Sequence, residues 1–257
     1  MWTTFTQKVR RAFSEAADQY DILTSLHKEI GRELVKKNVK LNAQTILDVG
    51  CGTGYVANKA KFFFPESRII GLDLAEGMLA QAKTLHEGIP IDWLQADACQ
   101  LPFKNATFDL IMSNLAYQWA GDLDAAFREV RRCLAPNGKL NATLFGSRTF
   151  EELLSCLQVV NPALKLRRLP SLKKVQESLE QAGFSRSKTD YELIKVQFKD
   201  VMELIVWLKS IGANNLGEDN FFLGKQMLAK ADEYYKEKFP YHDGIAVSFE
   251  VIWVDAQ

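Results

Sequence analysis

Three glycines at alternate positions, Gly50, Gly52 and Gly54, follow the apolar run Ile46-Leu47-Asp48-Val49, so that Asp48 sets a carboxylate two residues before the first of them. Glycine carries no Cβ and adopts positive φ without penalty, so a strand that ends this way lays bare backbone against a small molecule. A second apolar run, Ile69-Ile70-Gly71-Leu72, ends in Asp73. A carboxylate there suits a ribose, because it accepts hydrogen bonds from both the 2′ and 3′ hydroxyls. The glycine spacing is G-x-G-x-G, with Tyr55 where the third glycine of a dinucleotide-binding G-x-G-x-x-G turn would fall. Asp48 would repel a pyrophosphate but tolerate the ammonium group of an amino acid. Both features argue against a nicotinamide oxidoreductase. The plainer reading of the same residues is a tight turn beside a surface aspartate.

Further groups fall where other strands end. Leu74 and Met78, just after Asp73, are placed to sandwich a flat ring, unless Met78 is simply core. In Gln95-Ala96-Asp97-Ala98, Asp97 either accepts from an adenine amine while the Ala98 amide donates to the ring, or merely caps a turn. Ser113-Asn114-Leu115 closes a fourth strand near the point where a reactive group would emerge.

The elements that must carry these residues follow from periodicity. Val9, Phe13, Ala16, Ala17 and Tyr20, then Leu23, Leu26, Ile30 and Leu34, mark two apolar stripes at helical spacing within the first forty residues. Strands over 46–49, 68–72, about 91–95 and 108–113 alternate with helices over about 54–63, 76–86 and 122–134. Pro136-Asn137-Gly138 reads as a turn before a fifth strand, Lys139–Phe145. This alternation implies right-handed crossovers and a mostly parallel sheet. Past residue 146 come helices over 149–158 and 171–182, the latter stopped by Gly183, then a β segment over 188–198 and helices near 200–211 and 220–237. The chain closes on a β segment, Ile245–Val254. The last two β segments are expected to pair antiparallel, with the helices between them forming a cap over the strand ends. Three regions result: a helical lid (1–40), a nucleoside-binding core (41–146) and a part that completes the sheet and carries the cap (147–257).

Composition excludes several classes. Of 257 residues 47% are hydrophobic and 25% charged, with 32 basic residues balancing 32 acidic ones, so nothing global draws nucleic acid. The four cysteines, Cys51, Cys99, Cys133 and Cys156, are scattered without a C-x-x-C pair or clustered histidines. They read as reduced thiols, not as a disulfide frame or metal site. Cys51 reads as small buried filler. No apolar run reaches the length of a membrane span, and a cytoplasmic protein is expected.

The pattern D-x-G-x-G-x-G with an acid after the next strand resembles the class I S-adenosylmethionine (SAM) methyltransferases, an α/β fold with a Rossmann-like seven-stranded, mostly parallel sheet. More narrowly, the chain is similar almost end to end to the malonyl-[acyl-carrier-protein] O-methyltransferases of biotin synthesis. The similarity runs through Phe13-Ser14-x-Ala16-Ala17-x-x-Tyr20-Asp21, Asn114-Leu115-Ala116-Tyr117-Gln118-Trp119, Gly146-x-x-Thr149-x-x-Glu152-Leu153 and Gly212-Ala213-Asn214-Asn215. The stretch over 158–162 matches less well, and Arg148 stands where a small residue is expected.

The resemblance implies transfer of the SAM methyl group to the free carboxylate of a malonyl thioester on acyl carrier protein or coenzyme A. It implies SAM held by Asp48, Gly50, Gly52, Gly54, Asp73, Leu74, Met78, Asp97, Ala98, Asn114 and Leu115. Around the acceptor it brings Tyr20, His27, Asn114, Trp119 and Arg148, with no metal. Tyr20 is either a lid over the methionine end or a core residue of the first helix, and Trp119 either an apolar wall or plain core. Arg148 either orients the carboxylate or faces solvent, and His27 is either part of the lid or a surface histidine. Lys165, Arg167, Arg168, Lys173 and Lys174 form a basic cluster that either steers an acidic carrier protein or is a solvated loop. Two other functions fit the same motifs: a SAM methyltransferase of another small molecule, such as a quinone precursor or free acid, and a non-catalytic SAM-binding protein.

Overall fold

The computed structural model describes residues 3–163, 167–213 and 224–257. The strands are β1 (Thr45–Val49), β2 (Arg68–Asp73), β3 (Ile91–Gln95), β4 (Phe108–Asn114), β5 (Leu134–Phe145), β6 (Ser187–Phe198), β7 (Pro240–Tyr241) and β8 (Gly244–Ala256). They form one sheet in the order β3-β2-β1-β4-β5-β8-β6, and the two-residue β7 pairs with β8. Strands β1 to β5 run parallel, while β8 lies antiparallel between β5 and β6. The seven-stranded Rossmann-like expectation holds, with β7 as a short addition. A hairpin turning at His242 (φ 51°) forms it, and nothing in the sequence pattern announced it.

The order has a functional consequence. The chain builds outward from β1 through β2 to β3, then returns to lay β4 on the other side of β1. The connections leaving β1 and β4 therefore diverge, and a crevice opens beyond the strand tips where ligands of such sheets sit. Gly50 lies at one tip and Asn114 at the neighbouring one. Strand β1 is buried on both faces, as a central parallel strand must be, and Asp48 is buried with it.

Helix α1 (Thr4–Leu23) is capped by Thr3, whose hydroxyl accepts the Thr6 N–H at 3.1 Å. It stops at Thr24, whose hydroxyl donates to the Tyr20 carbonyl at 2.6 Å, and α2 (Ser25–Lys36) sets off from there. Helix α2 buries Leu34 and Val35 against Ile46, Val56 and Ala57 of β1 and α3 (Tyr55–Phe63). Helix α1 instead crosses α4 (Glu76–Leu85) at Gly77, where a Cβ would come within 2.4 Å of the Ser14 carbonyl oxygen. Helix α1 thus contributes Thr6, Val9, Phe13 and Tyr20 to the wall of the crevice.

Helices α5 (Leu123–Cys133), α6 (Glu151–Val160), α7 (Leu172–Gln181), α8 (Val201–Ser210) and α9 (Lys225–Lys238) complete the layers. Gly183, at φ 85°, stops the α7 segment as expected. Pro136-Asn137-Gly138 is not a free turn: strand β5 already begins at Leu134, and the pairing register with β4 slips between Phe108 and Leu110 to absorb it. Lys165, Asn214, Asn215 and the first part of the helix expected from residue 220 lie outside the described residues. Among the described residues no helix is long and apolar enough to cross a membrane.

Candidate functional site

Each glycine of the turn is left-handed: φ is 68° at Gly50, 54° at Gly52 and 87° at Gly54. The reasons differ. A Cβ on Gly50 would come within 2.2 Å of the Ala116 Cβ, and one on Gly54 within 2.4 Å of the Trp93 ring, so these two serve packing. Around Gly52 only Tyr20 comes near, at 3.9 Å, and its backbone faces the crevice. Asp73 holds the turn shut: one carboxylate oxygen accepts the Gly52 N–H and the other the Ala75 N–H, both at 2.8 Å. Burial raises its pKa, and the Ala75, Gly52 and Leu74 amides oppose that rise. Each oxygen of an ionised carboxylate keeps a lone pair beyond these bonds, so the pair of ribose hydroxyls still finds acceptors.

Asp48 is more exceptional. One oxygen accepts the Ala57 N–H at 3.0 Å, while the other is buried without a partner among the described residues. Burial pushes its pKa up to about 7, against the pull of the Ala57 amide and with a smaller push from Asp73. Asp48 lines a small cavity behind the turn, shared with Gly50, Gly52, Tyr20 and Asn114, which also border the crevice. A buried acceptor left unpaired there is a demand for a donor. An amino-acid ammonium meets it, and with the open backbone of Gly52 the residues fit an amino-acid nucleoside. Cys51 is buried beside them with its thiol pKa raised by burial, which is inert filler.

The crevice encloses about 780 Å³, its open mouth included. Leu74, Met78, Asp97, Ala98, Asn114 and Leu115 all border it. Met78 is fully buried with Ala17 and Ala75, under Phe13 and Tyr20, so it is both core and floor. Asp97 accepts the Cys99 N–H at 2.9 Å and so caps its own turn while lining the crevice. The Asn114 side chain is occupied at both ends: it donates to the His27 carbonyl at 2.9 Å and accepts from the Thr143 hydroxyl at 2.9 Å. Its amide ties α2 to the sheet. Leu115, next in the chain, is held at φ 53°, a strained conformation for a branched residue, at the crevice wall.

Of the acceptor candidates, Tyr20, His27 and Trp119 converge and Arg148 does not. Tyr20 and Trp119 border both the crevice and an adjoining apolar chamber, and His27 borders that chamber. His27 is not a surface residue: only 9% of it is exposed, because α2 turns this face inward onto Phe145 and Trp207. Burial alone lowers its pKa to about 4, so the imidazole is neutral. The Tyr20 phenol, desolvated and near Asp73 and Asp21, has its pKa raised and stays protonated. Arg148 faces solvent, its guanidinium paired with Glu151 one helical turn on, and it borders none of these cavities.

The basic cluster divides as well. Arg168 and Lys173 project outward, and Lys174 is bound to Asp124 at 2.8 Å. Arg167 folds inward, 4.1 Å from the Phe5 ring and 5.4 Å from that of Trp119, and donates to the Gln118 carbonyl at 2.8 Å. Burial lowers its pKa to about 10. Nothing in a run of basic residues distinguishes the one that turns in. The sequence pattern also missed the brace around the glycine turn, where the Thr53 hydroxyl bonds to Asp21 and His86 meets the Thr53 carbonyl at 3.0 Å.

Residues 46–138 match the methyltransferase domain family. The chain is 34% identical over 247 residues to a malonyl-[acyl-carrier protein] O-methyltransferase of Hahella chejuensis, covering 95% of this chain and 88% of that protein. It is 32% identical to the biotin biosynthesis bifunctional protein BioHC of Teredinibacter turnerae, over 96% of this chain but 46% of that longer protein. Among solved structures, a putative methyltransferase of Bacillus halodurans superposes with a TM-score of 0.64 at 20% identity, covering 88% of this chain and 97% of that one, which bears on the fold alone.

Proposed function

The chain belongs to the malonyl-[acyl-carrier protein] O-methyltransferases, and from that premise we propose that it methylates the free carboxylate of a malonyl thioester on acyl carrier protein, consuming SAM and releasing S-adenosylhomocysteine. The observation that carries this reading is the orphaned carboxylate oxygen of Asp48 at the glycine turn, in a chain that matches such enzymes over nearly its whole length. SAM supplies an electrophilic methyl group when bound. Asp48 would receive its ammonium, the backbone at Gly52 its amino-acid part, Asp73 the ribose, and Leu74, Met78, Asp97 and Ala98 the adenine.

The chemistry asks little proton transfer of the protein. A malonyl carboxyl is already ionised at neutral pH, since comparable groups have pKa of about 4. The residues must instead hold an anionic oxygen in line with the methyl group and keep water out. Holding reactants so contributes roughly 7–11 kcal/mol in favourable cases. Tyr20 and Trp119 stand between the two cavities, where such alignment is set. Helices α1 and α2 act as the lid, residues 41–146 as the SAM-binding core, and residues 147–257 complete the sheet and carry the cap. Arg168, next to Leu169 of the adjoining chamber wall, and Lys173, both exposed, steer the acidic carrier protein.

Methylation also makes physical sense of the product. A free carboxylate is costly to bury in an apolar acyl-binding tunnel, whereas its methyl ester is neutral. The enzyme thereby disguises a dicarboxylate as an ordinary acyl chain, the use such a step has in biotin synthesis. Incubating malonyl carrier protein with SAM and the enzyme, then weighing the carrier by mass spectrometry, tests the reading: one added methyl group is expected. Methylation of a phenolic acceptor with none on the carrier would refute it.

A further inference from the structure

The chamber beside the crevice encloses about 410 Å³ and shares Phe13, Tyr20, Leu115 and Trp119 with it. Phe145, Phe150, Leu169, Trp207, Ile211 and Ala213 make most of the remaining wall. Its polar atoms are few, and most are already spent. The Gln118 amide donates to the Leu115 carbonyl at 2.6 Å and accepts the Phe145 N–H. The Trp207 indole donates to the Leu23 carbonyl at 2.9 Å. Among the described residues, what remains at the wall is the Tyr20 hydroxyl, the Trp119 indole N–H and the ring of His27. The His27 Nδ1 is buried with no partner among the described residues.

His27 is also held in place. Asn114 grips its carbonyl, and its ring stands edge-on to Phe145 (5.4 Å between centroids) and to Tyr20 (6.0 Å). A neutral imidazole carries one N–H and one lone pair, so this fixed ring presents a donor without being a charge. A histidine kept only to fill apolar space would not leave a ring nitrogen unpaired.

The geometry points to this chamber as the acceptor site, with His27 as the residue that donates its ring N–H to the acceptor carboxylate and Tyr20 as its neighbouring donor. The inference rests on the carboxyl-methyltransferase reading above. In the transfer, the oxygen–methyl bond forms as the sulfur–methyl bond breaks, and the electron pair of the broken bond stays on sulfur. No proton moves, so His27 orients the carboxylate and does not serve as a base. The apolar wall leaves the carboxylate few competing hydrogen bonds, and the same wall excludes water from its reacting oxygen.

Two variants separate this role from a structural one. His27→Asn keeps an N–H donor close to Cβ, whereas His27→Leu keeps much of the volume and no donor. With saturating SAM and malonyl carrier protein as the varied substrate, His27→Leu is expected to lose about 10–100-fold in kcat/KM, as suits a lost hydrogen bond to a charged group. His27→Asn should recover most of that loss, and S-adenosylhomocysteine affinity by calorimetry should be the same in all three proteins. Full activity in the leucine variant, equal loss in both, or parallel loss of S-adenosylhomocysteine affinity would overturn the assignment. In the wild-type protein saturated with S-adenosylhomocysteine, the His27 ring ¹⁵N resonances should move when malonyl carrier protein is added, and unmoved resonances would also overturn it. A wild-type enzyme that shifts those resonances but adds no methyl group refutes the functional reading while upholding the chamber.

Discussion

Asp48 should set stability against ligand affinity, and Asp48→Asn exposes the conflict. The carboxyl group is raised from its ordinary 3.8 to about 7 by burial. Below about pH 4 it is protonated both folded and unfolded and costs nothing. Between pH 4 and 7 the unfolded chain ionises while the folded one keeps its proton, so stability falls as pH rises. Above pH 7 the full cost is present, about 4 kcal/mol for a rise from 3.8 to about 7.

Asparagine can keep the acceptor for the Ala57 N–H and carries no charge. It leaves a buried NH₂ group where the unpaired oxygen stood, which costs about 1–3 kcal/mol. That second cost does not depend on pH, so comparing two pH values removes it. The stability of the variant relative to wild type, from urea unfolding without ligand, should be more favourable at pH 8 than at pH 5 by about 2–3 kcal/mol. SAM affinity should move the other way, about 10–150-fold weaker at pH 8 by calorimetry, the value of one hydrogen bond to a charged group. A stability difference identical at the two pH values would refute the buried-charge account. Unchanged SAM affinity would refute the ammonium assignment.

Three further perturbations probe other parts of the site. Asp73→Ala removes the acceptor shared by the Gly52 and Ala75 amides as well as the ribose ligand, so SAM binding should weaken at least about tenfold by calorimetry. Gly50→Ala forces a side chain into a left-handed turn and onto Ala116, and should lower unfolding free energy by about 2 kcal/mol or more in denaturant titrations. Reversing charge at Arg168 and Lys173 together should slow turnover of malonyl carrier protein much more than of malonyl-coenzyme A, most clearly at low salt. Equal loss on both substrates would remove the steering role.

Much of the molecule follows from local sequence. The parallel core announces itself because apolar runs, glycine turns and helical stripes alternate, and each is a short-range signal. The same holds for the carboxylate proposed to hold the ribose: Asp73 closes a strand in register with the glycine turn, and a parallel sheet brings such ends together. The sequence alone therefore determined the parallel sheet and the glycine-bearing strand end at which a nucleoside is proposed to sit. It could not say that Pro136-Asn137-Gly138 would be absorbed by a slip between β4 and β5, because register depends on the partner strand.

Nor could it sort the acceptor residues. Arg148 and Arg167 are both arginines in polar stretches, yet one pairs with Glu151 in solvent and the other lies against Phe5 and Trp119. His27 and Asn114 are far apart in the chain, and only packing of α2 on β4 joins them. Which face of a helix is dry, and which donor stays unpaired there, is decided by elements distant in sequence. Desolvation is a property of the assembled fold. For that reason Asp48 and His27 acquire their chemistry only in the tertiary structure, although their types and positions were written in the chain.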